Sequence, residues 1–210
     1  MSAATVDQLA KSIVADPTFA PTVPTTAPDL WPKPLGPAAL TGLAGDVVRV
    51  IGPTTESDPA AILFQFLAMF GNLIGRTGHW RIEDTPHYCN LFIAIVGNTA
   101  KGRKGTSLDR VRSLFSGVED EWDKRIQSGL SSGEGLIWFV RDPIVESVPK
   151  RELGRITGYE DMQTDNGVLD KRALIIESEF ARVLNVSERQ GNTLSPIIRD
   201  AWDGKPLGTM

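Results

Sequence analysis

The feature that most restricts how this chain can fold is a run of six apolar residues, Leu91, Phe92, Ile93, Ala94, Ile95 and Val96. It stops at a glycine and a knot of cations in "GNTAKGRKGTS". An unbroken apolar run bounded by turn residues suits a strand covered on both faces, as in parallel sheets. Behind the loop, Leu108, Val111, Leu114 and Phe115 recur at helical spacing. The stretch therefore predicts strand 91–96, loop 97–105 and a helix from about Thr106. Repeated alternation of strand and helix along the chain predicts an α/β architecture with a mostly parallel sheet.

The loop has the chemistry of a phosphate cradle without its common spelling. Such a loop needs glycines that leave backbone N–H groups free to point inward, and a helix N-terminus aimed at the anion. It also needs a lysine for the outer phosphates and a hydroxyl for magnesium. The pattern G-x-x-x-x-G-K-[ST] fits in no register. Counting back from Lys104, Asn98 stands where the first glycine belongs and Gly97 lies one residue early; Arg103 replaces the second glycine, and Gly105 the usual hydroxyl residue. Lys104 followed by Thr106 or Ser107 is still a sensible lysine–hydroxyl pair, so Gly97, Asn98, Thr99, Ala100, Lys101, Gly102, Arg103, Lys104, Gly105, Thr106 and Ser107 are the candidate nucleotide contacts. The alternative is a basic turn: between Lys101 and Arg112 there are five cations and one anion, Asp109, a cluster that also suits a nucleic-acid phosphate.

A second segment pairs with the first. In "ALIIESEF", apolar Ala173, Leu174, Ile175 and Ile176 lead into Glu177 and Glu179. An acidic residue at the end of a strand beside a phosphate loop holds magnesium or activates water. Two residues apart in extended chain, the two glutamates would project the same way and Ser178 the opposite way. Ordinary solvated glutamates at a strand end are the plainer alternative.

Elsewhere the sequence divides unevenly. Seven of the 14 prolines precede residue 38, which predicts a disordered tail over 1–38, with a short helix at 5–15. A P-loop NTPase-like domain is expected over 39–210, with a helical lead-in at 39–86 and a nucleotide core at 87–210. "AAILFQFLAMFGNLIG" is uncharged but carries Gln65 and Asn72 and falls short of the roughly 20 residues of a spanning helix. It reads as a buried helix started by Asp58 and Pro59. "HWRIEDTPHYCN" predicts strand and turn, "VEDEWDKRI" a polar helix, "GLSSGEGLIWFVRDP" a turn and an apolar helix stopped by Pro143. Residues 146–170 read as polar and irregular, and "LSPIIRDAWDG" as a final helix.

Composition narrows the function. A net charge of -4 argues against a surface wholly committed to nucleic acid, while 41% hydrophobic content over 210 residues allows one good core. One cysteine, Cys89, excludes an internal disulfide framework and fits a reducing cytosol. The N-terminus has no secretory pattern, so a cytoplasmic protein without membrane contact is expected. His79, His87 and Cys89 fall short of a structural zinc pattern. Ser131 and Ser132 lack nucleophile-elbow spacing. The five tryptophans are scattered and read as packing residues rather than as a base-stacking platform.

Four segments in order, "NLFIAIVGNTAKGRKGTS", "GLSSGEGLIWFVRDP", "DKRALIIESEFARVL" and "ERQGNTLSPIIRDAWDGKPL", resemble a phage- and plasmid-associated group of P-loop proteins. That group is catalogued as a domain of unknown function, and its members often accompany primase–polymerase modules. The resemblance covers residues from about 39 onward. It implies a RecA-like ATPase core of the helicase type, binding ATP and magnesium and acting on DNA in replication of mobile elements, with replication proteins such as a primase as partners. Carried over, Lys104 and Thr106 are the phosphate and magnesium contacts, and Glu177 or Glu179 the acidic partner. Glu134, Arg189 and Arg199 are further site residues. Motors of this kind place an arginine across a subunit interface, which implies a homo-oligomer with Arg189 or Arg199 acting in trans. Members of the group continue past "AWDG" into another apolar strand, so the resemblance also predicts a truncated chain with an incomplete sheet. Two other functions compete: a nucleic-acid or partner-binding module without hydrolysis, and a nucleotide kinase suggested only by "KGT".

Overall fold

In the computed structural model, residues 33–97, 103–152 and 154–208 are described. The elements named below all belong to the unit Leu35–Met210. The first two helices are α1 (Gly42–Ile51) and α2 (Pro59–Ile74). Asp58 caps α2 by accepting the Ala60 N–H at 2.7 Å, and Pro59 sits in the first turn, where its missing N–H costs nothing. Helix α2 is the axis of the core. It buries Ala61, Ile62, Leu63, Phe66, Met69 and Gly71. A Cβ on Gly71 would lie 2.1 Å from the Cys89 carbonyl oxygen, so only glycine lets the chain after the next hairpin pass this close.

That hairpin, β1 (His79–Ile82) with β2 (Thr85–Tyr88), is antiparallel. Helix α3 (Lys104–Phe115) follows the candidate loop, and a single turn, α4 (Asp120–Asp123), follows α3. Val48 and Ile51 of α1, the buried face of α2, Val111 and Phe115 of α3 and Trp122 of α4 form one cluster. Its aromatic centre is Phe66, Phe115 and Trp122, with successive ring centroids 5.5 and 5.6 Å apart.

Strand β3 (Ile126–Gln127) pairs in parallel with β6 (Leu174–Ile175). Bonds from Leu174 N–H to the Arg125 carbonyl and from Ile176 N–H to the Gln127 carbonyl extend the pair. Between these strands lie α5 (Gly133–Phe139) and a long antiparallel hairpin, β4 (Ile144–Glu152) with β5 (Arg155–Asp165). After β6 come α6 (Phe180–Ser187) and α7 (Leu194–Trp202). Val183, Val186 and Leu194 of these helices make a second, smaller cluster. A Cβ on Gly133 would meet the Thr193 hydroxyl at 2.4 Å; glycine there lets α5 close onto the start of α7. The described unit is thus mixed α/β, with seven α-helices and three two-stranded sheets.

Several expectations need correction. Residues 90–97 lie outside every helix and strand, and Leu91, Phe92 and Val96 are 49%, 45% and 78% exposed. An apolar run becomes a strand only where a neighbour offers backbone partners, and no described strand pairs with this one. The parallel ladder is β3–β6, and the longer pairings are antiparallel. Residues 146–170 are largely ordered hairpin rather than irregular chain. The polar helix at "VEDEWDKRI" shrinks to one turn because burial of Trp122 is followed by a tight turn, with Arg125 N–H bonded to the Trp122 carbonyl at 2.8 Å, and the chain then enters β3. The helix in "GLSSGEGLIWFVRDP" ends at Phe139, short of Pro143. Of the tryptophans, Trp122 is fully buried, while Trp80, Trp138 and Trp202 are exposed; Trp31 lies outside the described residues. The predicted helix at 5–15 lies outside them too.

Candidate phosphate-binding helix start and acidic strand end

Of the loop before α3, Gly97 and Arg103 are described. Arg103 has φ 49° and ψ 28°, the left-handed conformation that glycine adopts freely and other residues adopt at a cost. It stands where the common motif has its second glycine. Its guanidinium pairs with Glu56 at 2.5 Å, both side chains half-exposed or more. Gly97, at the end of the apolar run, is half-buried. Residues 98–102, which include the candidates Asn98, Thr99, Ala100, Lys101 and Gly102, lie outside the described residues.

Helix α3 starts at Lys104 with no side-chain cap on its first turn, so the leading N–H groups are open to an anion. A Cβ on Gly105 would meet nothing within 4 Å. The two hydroxyls differ: Ser107 is fully buried and donates to the Lys104 carbonyl at 2.8 Å, whereas Thr106 is exposed. Of the lysine–hydroxyl pairings the sequence left open, Lys104 with Thr106 is the one whose hydroxyl residue is exposed.

The acidic segment sits on the same core. Leu174 and Ile176 pack against the cluster that holds Val111 and Phe115 of α3. The ladder ends at Ile175, however, and Ser178 makes a bend, so the simple alternation of Glu177, Ser178 and Glu179 does not persist. Glu177 turns inward: its Oε1 accepts the N–H groups of Gly129 and Leu130 at 2.5 and 2.7 Å. It fastens the chain leaving β3 to the chain leaving β6. Glu179 is exposed at the N-cap of α6, with no side-chain cap bond.

Glu134 lies in the first turn of α5, after Ser132, whose Oγ accepts the Gly135 N–H. The Thr193 hydroxyl donates to Glu134 at 2.8 Å. That bond, helped by the residue's own backbone N–H and by Ser132, holds the carboxyl below the usual range. Glu134 therefore ties α5 to the start of α7. Arg189, in the turn after α6, and Arg199, on α7, are exposed. The structure thus packs α3 and β6 on one core, and groups Glu134 with α7 instead.

Two residues escaped the sequence reading as site residues. Gln65 and Asn72 are the polar interruptions in α2, seven apart and so on one face. Gln65 Nε2 donates to the Lys104 carbonyl at 3.3 Å, and Asn72 Nδ2 to the Ala173 carbonyl at 3.1 Å. Asn72 Oδ1 also accepts the Trp122 indole N–H at 2.8 Å. One helix face thus grips the first residue of α3 and the entry to β6. The signal was available: a buried helix rarely carries an amide without a partner.

Among the described residues, His79, His87 and Cys89 are exposed on or beside the β1–β2 hairpin, and no group of three His, Cys, Asp or Glu is placed to hold a metal ion. No described helix is long and apolar enough to cross a membrane. Comparison of the chain with family models, with curated proteins and with solved structures returned no match.

Proposed function

We propose that the chain binds ATP with magnesium at the start of α3 and is a helicase-like ATPase, built on a RecA-like core, that acts on DNA in replication of a phage or plasmid. The observation that carries this reading is the junction at Arg103 and Lys104. A left-handed residue in the place of a glycine leads into a helix whose first turn is uncapped and whose Thr106 is exposed. These residues fit a phosphate: free backbone donors, open space at Gly105 and a lysine at the first position. Lys104 would take the outer phosphates and Thr106 the magnesium; Glu177 has its second carboxylate oxygen to offer to the magnesium shell, and Glu179 is free to orient water. ATP supplies the phosphoryl group that is transferred to water; the chain's own residues bind, orient and position. An arginine from a second copy, Arg189 or Arg199, would complete the site in a homo-oligomer, and a primase fits as a partner.

Titration with a non-hydrolysable ATP analogue and magnesium tests the reading. Binding at micromolar to millimolar concentration is expected, and none at millimolar analogue would overturn it. The cationic stretch through Arg110 and Arg112 favours one second reading, a nucleic-acid-binding module without hydrolysis. It gains if DNA binds with steep salt dependence while the analogue does not.

A further inference from the structure

The hairpin of β4 and β5 is an element for which the core has no use. Its nine paired positions give it a length of about 30 Å, and no residue in either strand is buried. A lone two-stranded hairpin is marginal in water, yet this one is anchored firmly at its base. Arg141 makes a bidentate pair with Asp165, both bonds 2.9 Å, and lies over the Trp138 ring. Lys171 donates to the carbonyls of Val140 and Arg141.

Charge is sorted along the arm. The distal end carries Lys150, Arg151 and Arg155 against one carboxylate, Glu152, and the proximal part carries Glu146, Glu160, Asp161 and Asp165. All three distal cations are exposed, and none enters an ion pair among the described residues. Lys150 and Arg151 are consecutive in β4, so they project from opposite faces; the bulge beside them falls on β5, where Thr157 is skipped in the register. The tip is therefore positive on both faces. A ribbon lying on a flat surface needs cations on one face only, whereas one inserted between two walls of phosphate needs them on both. The major groove of a duplex is such a slot and admits a two-stranded ribbon.

We propose that the β4–β5 arm is a DNA-binding element whose tip enters the groove of a duplex, with Lys150, Arg151 and Arg155 contacting the backbone phosphates. This deepens the proposed function by naming its DNA contact, and it rests on that reading for DNA as the polyanion. Pro149 has no N–H and blunts the β4 edge, which disfavours edge pairing with a second copy. The proximal carboxylates limit the depth of entry, since they would meet phosphate if the ribbon went further.

The test uses the full chain, a labelled duplex of roughly 20 base pairs, a single strand of the same length and a salt series. Each phosphate contact contributes about 0.9 to the slope of log affinity against log salt. The triple variant Lys150→Ala, Arg151→Ala, Arg155→Ala should lower the duplex slope by about 2–3 and the affinity by roughly tenfold or more. The pair Glu160→Gln, Asp161→Asn should raise affinity a few-fold, which keeps the test sharp if the triple variant is poorly folded. No duplex binding by the parent at low salt, binding of single strand only, or an unchanged slope in the triple variant would each overturn the proposal. So would a change in sedimentation without a change in DNA affinity. Analogue binding is measured beside these. If the duplex behaves as expected and the analogue fails to bind, the ATP site falls and the arm stands.

Discussion

Helix α2 buries six of its sixteen residues and packs against α1, α3 and α4, whereas no residue of β4 or β5 is buried. Both regions are rich in apolar side chains. In α2 they recur with the helical period, so they converge on one core. In the hairpin Val145, Ile156, Tyr159 and Met162 stay in solvent, and ordering each residue costs about 1–2 kcal/mol that burial does not return. The arm is held by its ladder and by the bidentate pair at its base. The contrast separates residues that make the fold from residues that the fold displays.

The largest effect should come from the core. Trp122→Ala removes a fully buried ring and the donor to Asn72, and should destabilise the chain by about 3–5 kcal/mol in chemical denaturation. Val145→Ala on the arm should cost less than about 1 kcal/mol. Comparable losses would break the contrast, because the arm would then be part of the core. Next comes Asn72→Ala, which leaves the Trp122 N–H and the Ala173 carbonyl unpaired; about 1–3 kcal/mol is expected. A neutral result would mean that water replaces the amide and that α2 does not hold β6 through it.

The same contrast governs what the sequence reveals. Asp58, Pro59 and the spacing of Ile62, Leu63 and Phe66 specify α2 locally, and α3 and α7 follow from the same kind of pattern. Strand β6 was visible as an apolar run ending in Glu177. The hairpin was not, because Pro149, Gly154 and Gly158 and a bulge at Thr157 interrupt the alternation, and neither face meets a core to enforce it. Residues 91–96 fail for the opposite reason: their pattern is that of a buried strand, but a ladder requires a partner that no local pattern encodes. At the candidate site, Lys104 and Thr106 stand out in the sequence by residue type alone. The left-handed Arg103, the inward turn of Glu177 and the grip of Gln65 and Asn72 depend on tertiary neighbours.

Acid should loosen both regions, through different residues. The guanidinium of Arg141 holds the Asp165 carboxyl below its usual range, and Arg172 does the same for Glu119 and Asp170. A depressed carboxyl stabilises the fold fully above its unfolded pKa, about 4, and that contribution disappears as pH falls through the depressed value. Stability should therefore be flat from neutral pH down to about pH 5 and decline below about pH 4. Asp165→Asn should abolish the part of the decline reported by amide hydrogen exchange at the arm's base and leave the part seen by global denaturation. If the variant titrates like the parent by both probes, Asp165 does not anchor the arm. A smaller effect is expected at the loop. Arg103→Gly should be more stable than Arg103→Ala by about 1 kcal/mol, since both lose Glu56 and only alanine retains the left-handed penalty. Equal stabilities would contradict that backbone conformation.

The proposed phosphate site depends most on Lys104, at the start of a core helix. Affinity for an ATP analogue with magnesium, measured by calorimetry for the parent, Lys104→Ala and Arg103→Ala, tests it directly. Removing a charge-assisted phosphate contact should cost Lys104→Ala about 1.5–3 kcal/mol, or roughly ten- to a hundredfold in affinity. Arg103→Ala should lose only about 0–1 kcal/mol, because its exposed guanidinium is paired with Glu56. Equal losses for the two variants, or a loss confined to Arg103→Ala, would contradict the assignment of the phosphate site to Lys104.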